Sequence, residues 1–196
     1  MAMVKIKVYP DNAKNEISGG ILGHFVEQYP GNIPGGIYDP ESRYADKDGF
    51  RTDILEKMRE TGVTQIRWAG NFSSAYHWMD GVGPVDQRPK KLNFAWDAIE
   101  DNRHGTAEFI KLCRKVGADP VIGVNMGSGT PEEAMNWVEY CNGIEDSFYA
   151  NLRRKDGYEE PFHVKNWCLG NEVYAQWQFG MMNAEEYARQ AVNFAF

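Results

Sequence analysis

No run of 18 apolar residues occurs in the 196-residue sequence, and the N-terminal stretch MAMVKIKVYP has no long apolar core. Neither a membrane-spanning helix nor a secretion signal is expected. Basic residues are outnumbered, 21 Lys and Arg against 28 Asp and Glu, leaving a formal charge of −7. That balance argues against a nucleic-acid surface and a nucleic-acid partner. The densest basic groups, Lys90-Lys91 and Arg153-Arg154-Lys155, read as solvated faces. Cysteine is scarce: Cys113, Cys141 and Cys168 are far apart and odd in number. Without CxxC or HxxxH spacing, neither a zinc site nor a disulfide framework is supported, and a reducing, cytoplasmic setting is the expectation. His24, His77, His104 and His163 show no metal spacing either, so no metal site is expected. Internal repeats and low-complexity segments are lacking as well.

What is present points to a globular domain with a sizeable core, since 42% of residues are apolar and 25% charged. Six Trp, ten Tyr and ten Phe serve core packing first, and flat rings also suit the C–H-rich faces of sugars. Val4, Ile6 and Val8 alternate with Lys5 and Lys7, the period of a half-buried strand. A turn at Asp11 to Asn15 follows, and Ile21–Val26 reads as a second strand ending at Glu27. A Gly/Pro-rich loop then runs from Tyr29 to about Gly49.

Strands and helices alternate from there. Helices are expected over Thr52–Thr61, stopped by Gly62, and over Thr106–Val116, stopped by Gly117. Thr130-Pro131-Glu132-Glu133 opens a third helix with the pattern of a capping box, and Asn183-Ala184-Glu185-Glu186 caps a fourth that runs to Phe196. Val63–Trp68, Pro120–Asn125 and Val164–Leu169 are strands, and the long stretch Ala69–Asn102 is a loop. This βαβα order predicts a parallel sheet with right-handed crossovers. Loops after strands are long and polar while loops after helices are short, which favours an α/β fold of the (β/α)₈ barrel type with about four βα units.

Every expected strand ends in a polar residue: Glu27, Arg67, Asn71, Asn125, Asn171 and Glu172. Strand ends are where barrel enzymes gather catalytic groups, and polar groups around an apolar-walled pocket suit a sugar. The Gly-rich run Asn125 to Thr130 precedes a helix but lacks the Lys of a phosphate-binding loop, so a structural role is favoured.

Several segments resemble the α-L-arabinofuranosidases of glycoside hydrolase family 51. They are Gly36-Ile37-Tyr38-Asp39-Pro40, Asp48-Gly49-Phe50-Arg51-Thr52-Asp53, Tyr76-His77-Trp78-Met79-Asp80-Gly81-Val82-Gly83-Pro84 and Val138-Glu139-Tyr140-Cys141-Asn142-Gly143. The likeness continues through Trp167-Cys168-Leu169-Gly170-Asn171-Glu172, Trp177-Gln178-Phe179-Gly180 and Ala184-Glu185-Glu186-Tyr187-Ala188-Arg189.

The resemblance implies that residues 16–196 are the N-terminal half of a (β/α)₈ barrel, with residues 1–15 a strand and turn of a β-sandwich. It implies a retaining enzyme that releases terminal α-L-arabinofuranosyl groups from arabinan or arabinoxylan oligosaccharides without metal or organic cofactor. Glu172, after an asparagine at the end of the fourth strand, matches the acid/base; Asn171 would bind the sugar 2-hydroxyl. Glu27 matches a sugar-binding glutamate and Asn71 a subsite asparagine. Arg67 is a charged support nearby, and Trp96 an aromatic lining the subsite. The segment Arg67-Trp68-Ala69-Gly70-Asn71-Phe72 is one residue shorter than the family's usual pattern and lacks its proline, which puts the reach of Asn71 in question. The family's nucleophile, a glutamate on the seventh strand, has no matching position here. The resemblance therefore points to the C-terminal half of the barrel, or to further copies of the chain, as partners.

Overall fold

The structure, a computed structural model, describes residues 3–195. Its elements in chain order begin with β1 (His24–Phe25), α1 (Thr52–Glu60) and β2 (Gln65–Trp68). A hairpin of β3 (Lys91–Asn93) and β4 (Ala98–Glu100) follows, then α2 (Thr106–Val116) and β5 (Asp119–Val124). The chain continues with α3 (Pro131–Asn142), α4 (Phe148–Lys155), β6 (Asn166–Leu169) and α5 (Ala184–Phe194). β1, β2, β5 and β6 form one parallel sheet in that order, and the hairpin pairs antiparallel outside it. An α/β parallel sheet of this kind fits part of a (β/α)₈ barrel. None of the helices of the described residues is long and apolar enough to cross a membrane.

The register gives the sheet two unlike faces. Arg67 pairs with Phe25 and with Val121, and Gly123 with Cys168. Side chains alternate along a strand, so Ile66, Trp68, Ile122 and Val124 point together toward the helices, and all four are buried. Trp68 stacks on Phe109 of α2 with ring centroids 5.1 Å apart, and Trp167 meets Trp137 of α3 edge-on at 5.7 Å. The other face carries Phe25, Gln65, Arg67, Val121, Asn166 and Cys168, all half-buried or exposed. Burial of apolar area thus stabilises the helix side, while the opposite side keeps its polar groups in water.

Helix signals in the sequence act as expected at most ends. Gly117 closes α2 in the left-handed region at φ 78°. At α5, Asn183 Oδ1 accepts from Glu186 N at 3.0 Å and the Glu186 carboxylate accepts from Asn183 N at 2.9 Å, a complete capping box. At α3 only half of the expected box forms. Thr130 Oγ1 accepts from Glu133 N at 3.1 Å, but the Glu133 carboxylate turns to His77 Nδ1 at 3.0 Å.

Four expectations need correction. The strand at Val4–Val8 is absent from the described residues, and Val4, Ile6 and Val8 are at least 78% exposed. Alternation makes a strand only when a neighbouring edge accepts its hydrogen bonds; within residues 3–15 the one element formed is the turn at Pro10–Asn12, and Met1 and Ala2 lie outside the described residues. The strand expected over Ile21–Val26 shrinks to His24–Phe25, because Ser18 Oγ accepts from Gly20 N and sets a turn over Gly19–Leu22. The loop Ala69–Asn102 contains the β3–β4 hairpin. Arg153, read as part of a solvated face, is fully buried in α4 and donates to the carbonyls of Tyr140, Gly143, Tyr158 and Glu159. A guanidinium has five donors and can stay buried when carbonyls meet them.

His104 is 2% exposed among Tyr38, Phe50 and Trp68, with neither ring nitrogen hydrogen-bonded within the described protein. Burial pushes its pKa down to about 4. Because the folded value lies below the unfolded one, the stabilisation is complete above about pH 6.5 and is lost as pH falls toward 4. The full effect is about 3 kcal/mol. Denaturant titrations at pH 7 and pH 4.5 should show much of this loss, and His104→Phe should flatten that part of the slope. An unchanged slope in the variant would refute the assignment.

Candidate active site

The loops that leave the carboxyl ends of β1, β2 and β6 meet over a small polar cluster. Arg67, on β2, donates from Nη1 to Asn171 Oδ1 at 2.8 Å, and Asn171 Nδ2 donates to Asn71 Oδ1 at 2.8 Å. A guanidinium can only donate, so Arg67 fixes which end of the Asn171 amide faces which neighbour. Its Cζ lies over the Phe25 ring, 4.3 Å from the centroid. Asn171 is 9% exposed, close to solvent yet held on both sides. The shortened segment after β2 therefore still brings Asn71 into the cluster.

Glu27, just beyond β1, is 7% exposed. Its Oε1 accepts from Trp96 Nε1 at 3.1 Å and from Phe72 N at 3.3 Å. Burial pushes the carboxyl pKa up, and these hydrogen bonds oppose the rise. Trp96 sits in the turn of the hairpin, its ring tilted against Tyr29 with centroids 4.9 Å apart. Asn93 ties the hairpin down by donating from Nδ2 to the Gln28 carbonyl at 3.0 Å. The hairpin, invisible as secondary structure in the sequence, is what carries the Trp96 indole to Glu27.

Gly70 permits the approach. Its φ is 73°, and a Cβ there would lie 2.6 Å from both Glu27 carboxylate oxygens. Gly70→Ala should displace the carboxylate and lose about 1.5–3 kcal/mol of any sugar binding that uses it, the usual scale for a hydrogen bond to a charged group. Calorimetric titration with L-arabinose measures the loss. Unaltered affinity in a folded variant would remove Glu27 from the site.

Glu172 stands apart from the cluster. It is exposed and adopts φ 46°, a left-handed conformation that costs about 1–2 kcal/mol for a residue with a side chain and that gathers at functional sites. Among the described residues its carboxylate makes no side-chain hydrogen bond. It lines a cavity of about 370 Å³ with Asn171, Val173, Tyr174 and Tyr187. Five of the six expected site residues are thus joined by direct contacts or through shared neighbours, and Glu172 connects to them along the backbone from Asn171.

Two features escaped the sequence. Gln178, 6% exposed, donates from Nε2 to the Asn71 carbonyl at 3.1 Å and to Ser74 Oγ, clamping the loop that carries Glu172 onto the one that carries Asn71. Gly127 and Gly180 then let the loops touch backbone to backbone: a Cβ on Gly127 would lie 2.6 Å from the Phe179 carbonyl. The Gly-rich run from Asn125 to Thr130 is occupied internally, since Asn125 Oδ1 accepts from the amides of Gly127 and Ser128 at 3.1 and 2.9 Å. Among the described residues no group of three or more His, Cys, Asp or Glu side chains is placed to hold a metal ion.

The family profile described as alpha-L-arabinofuranosidase 1 domain matches residues 57–194, taking in β2, β5, β6, Arg67, Asn71, Trp96, Asn171 and Glu172 but not Glu27. The chain belongs to the alpha-L-arabinofuranosidase 1 domain family. It is 49% identical over 191 residues to alpha-L-arabinofuranosidase C of Emericella nidulans, covering 97% of this chain and 38% of that protein. The intracellular exo-alpha-(1->5)-L-arabinofuranosidase 1 of Bacillus subtilis is 44% identical over 92% of this chain and 36% of that protein. In structure the chain resembles the thermostable GH51 alpha-L-arabinofuranosidase from Thermotoga petrophila, with a TM-score of 0.91 at 50% identity over 94% of this chain and 39% of that one. The arabinofuranosidase family found by these comparisons is the glycoside hydrolase family 51 that the motifs resembled. The chain spans under two-fifths of the length of these relatives.

Proposed function

We propose that the chain supplies the acid/base side of a retaining α-L-arabinofuranosidase, acting on terminal non-reducing arabinofuranosyl groups of arabinan or arabinoxylan oligosaccharides. One observation carries the reading: Asn171, held between Arg67 and Asn71, is followed by a backbone-strained, exposed Glu172 facing a cavity of about 370 Å³. The amide groups of Asn71 and Asn171 and the Glu27 carboxylate hold the sugar hydroxyls, with Arg67 bracing Asn171 and Trp96 orienting Glu27. Glu172 gives its proton to the leaving glycosidic oxygen and later takes one from the attacking water. Retention needs a second carboxylate about 5–5.5 Å away as nucleophile; in this reading it comes from the seventh strand of a completed barrel.

The architecture completes the proposal. Residues 16–196 form the first half of an eight-stranded barrel, and the exposed apolar side chains of Val4, Ile6 and Val8 are covered by the sandwich to which residues 1–15 belong. The free parallel edges of β1 and β6 pair with the C-terminal half, or with strands from another copy of the chain. The relatives' printed names support the substrate class, and the intracellular relative together with the free cysteines Cys113, Cys141 and Cys168 suits a reducing cytoplasm.

Hydrolysis of p-nitrophenyl α-L-arabinofuranoside tests this directly. The chain alone should be inactive, and mixing it with the C-terminal portion of a relative should restore turnover. Turnover by the isolated chain would contradict the placement of the nucleophile. Saturable arabinose binding with no turnover in the completed barrel would favour a non-catalytic sugar-binding module.

A further inference from the structure

A second cavity, of about 360 Å³, shares no lining residue with the one that holds Glu172. Part of its wall is aromatic. Phe94 of the hairpin turn and Phe179 of the loop after β6 stack with centroids 6.1 Å apart and planes 26° from parallel. They are 65% and 50% exposed, and neighbouring Leu92 is 47% exposed. Adjacent apolar side chains left in water around a concavity mark a binding surface.

The buried lining is polar. Tyr76 is 4% exposed, and its hydroxyl makes no hydrogen bond within the described protein. Glu100 is 6% exposed; its Oε1 accepts from Gln28 Nε2 at 3.2 Å and from Asn102 N at 2.9 Å. At the rim Lys91 Nζ lies 2.6 Å from Asp80 Oδ2, and His77 Nδ1 lies 3.0 Å from Glu133 Oε1. The paired Lys91 and Asp80 add no net charge to the rim. A purely apolar guest would cover the partly exposed polar side chains of His77, Asp80 and Lys91 without giving them new partners. A neutral sugar meets both demands, laying a C–H face on an aromatic wall while its hydroxyls donate and accept.

We propose that this cavity is a second carbohydrate site, which holds an uncleaved ring of the oligosaccharide chain against Phe94 and Phe179. The inference rests on the carbohydrate reading above and adds a contact distinct from the Glu27, Asn71 and Asn171 cluster. A chain held at both places gains affinity through effective concentration.

Calorimetric titration of the full chain with L-arabinose and with linear arabino- and xylo-oligosaccharides tests it. The oligosaccharides should bind more tightly than arabinose. The double substitution Phe94→Ala, Phe179→Ala should weaken an oligosaccharide about tenfold and leave arabinose unchanged, and Phe94→Trp should restore or improve binding. Both rings are at the surface, so the thermal transition should stay in place. An oligosaccharide affinity unmoved by the double substitution, or a Phe94→Trp variant as weak as Phe94→Ala, overturns the proposal. Loss of arabinose binding belongs instead to the first site, and there Asn171→Ala is the substitution that should cause it.

Discussion

Glu172→Gln, measured in a barrel completed with the C-terminal portion of a relative, is expected to lower hydrolysis of arabinan-derived oligosaccharides by about 10²–10⁴-fold, the range of general acid–base catalysis. The amide keeps the size and the backbone conformation at φ 46° and removes only the proton transfer. The size of the loss should depend on the leaving group. A glycoside whose leaving group needs no proton forms the glycosyl-enzyme unaided, so its kcat/KM should change little. Its kcat should still fall, because the second step needs the same group as a base to activate water. A uniform loss in kcat/KM across good and poor leaving groups would instead indicate a damaged fold, and would sink the assignment of Glu172.

The second large effect concerns Glu108 and is structural. Arg88 and Glu108 form a bidentate pair at 2.9 and 3.2 Å, with their side chains 2% and 10% exposed. Arg88 also donates to the carbonyls of Gly83, Asn102 and Arg103, and Glu108 accepts from Gly105 N at 2.9 Å. The pair anchors the long connection between β2 and α2, including the base of the hairpin that carries Trp96. Glu108→Ala leaves a buried guanidinium without its counter-charge, and the loss should be about 3–5 kcal/mol in denaturant unfolding. Arg88→Met with Glu108→Leu should recover much of it, because a matched apolar pair leaves no buried charge. If Glu108→Ala proves as stable as the parent chain, water must reach the pair.

Legibility in the sequence tracked the range of the interaction. α2 and α5 could be read almost to the residue because their signals are local: apolar positions at helical spacing, Gly117 as a stop, Asn183 and Glu186 as a box. The hairpin could not. Lys91-Leu92-Asn93 and Ala98-Ile99-Glu100 are three residues each, too short for a period to emerge, and Asn93 finds its partner at Gln28, 65 positions away. Arg153 misled for a similar reason, since only the return of the Tyr158 and Glu159 carbonyls around α4 makes a buried guanidinium tolerable.

 Those carbonyls, at Tyr140, Gly143, Tyr158 and Glu159, are spread over 20 residues of chain and are gathered only by the fold.

The candidate site divides in the same way. Asn171-Glu172 at the end of an apolar strand was readable, because a strand's end and its polar residues are local facts. Glu27, Arg67, Asn71 and Trp96 could be named by resemblance, but their contacts could not. Gln178 lay within a matched motif and had no assignable role, because its partners Asn71 and Ser74 lie more than 100 positions away. Gly70 looked like one glycine among 20 until the Glu27 carboxylate was seen against it.

By itself the sequence determined the alternation of strands and helices, the parallel sheet this implies, most helix ends and the family. Each of these follows from spacing within a few residues or from motifs that survive as strings. Only the tertiary structure decided that the N-terminal alternation finds no strand partner among residues 3–195, that a hairpin brings Trp96 to Glu27, and that Arg67, Asn171 and Asn71 form one chain of hydrogen bonds. A hydrogen bond depends on position and angle in space, and residues a hundred positions apart acquire these only when the sheet sets its register and the loops close over it.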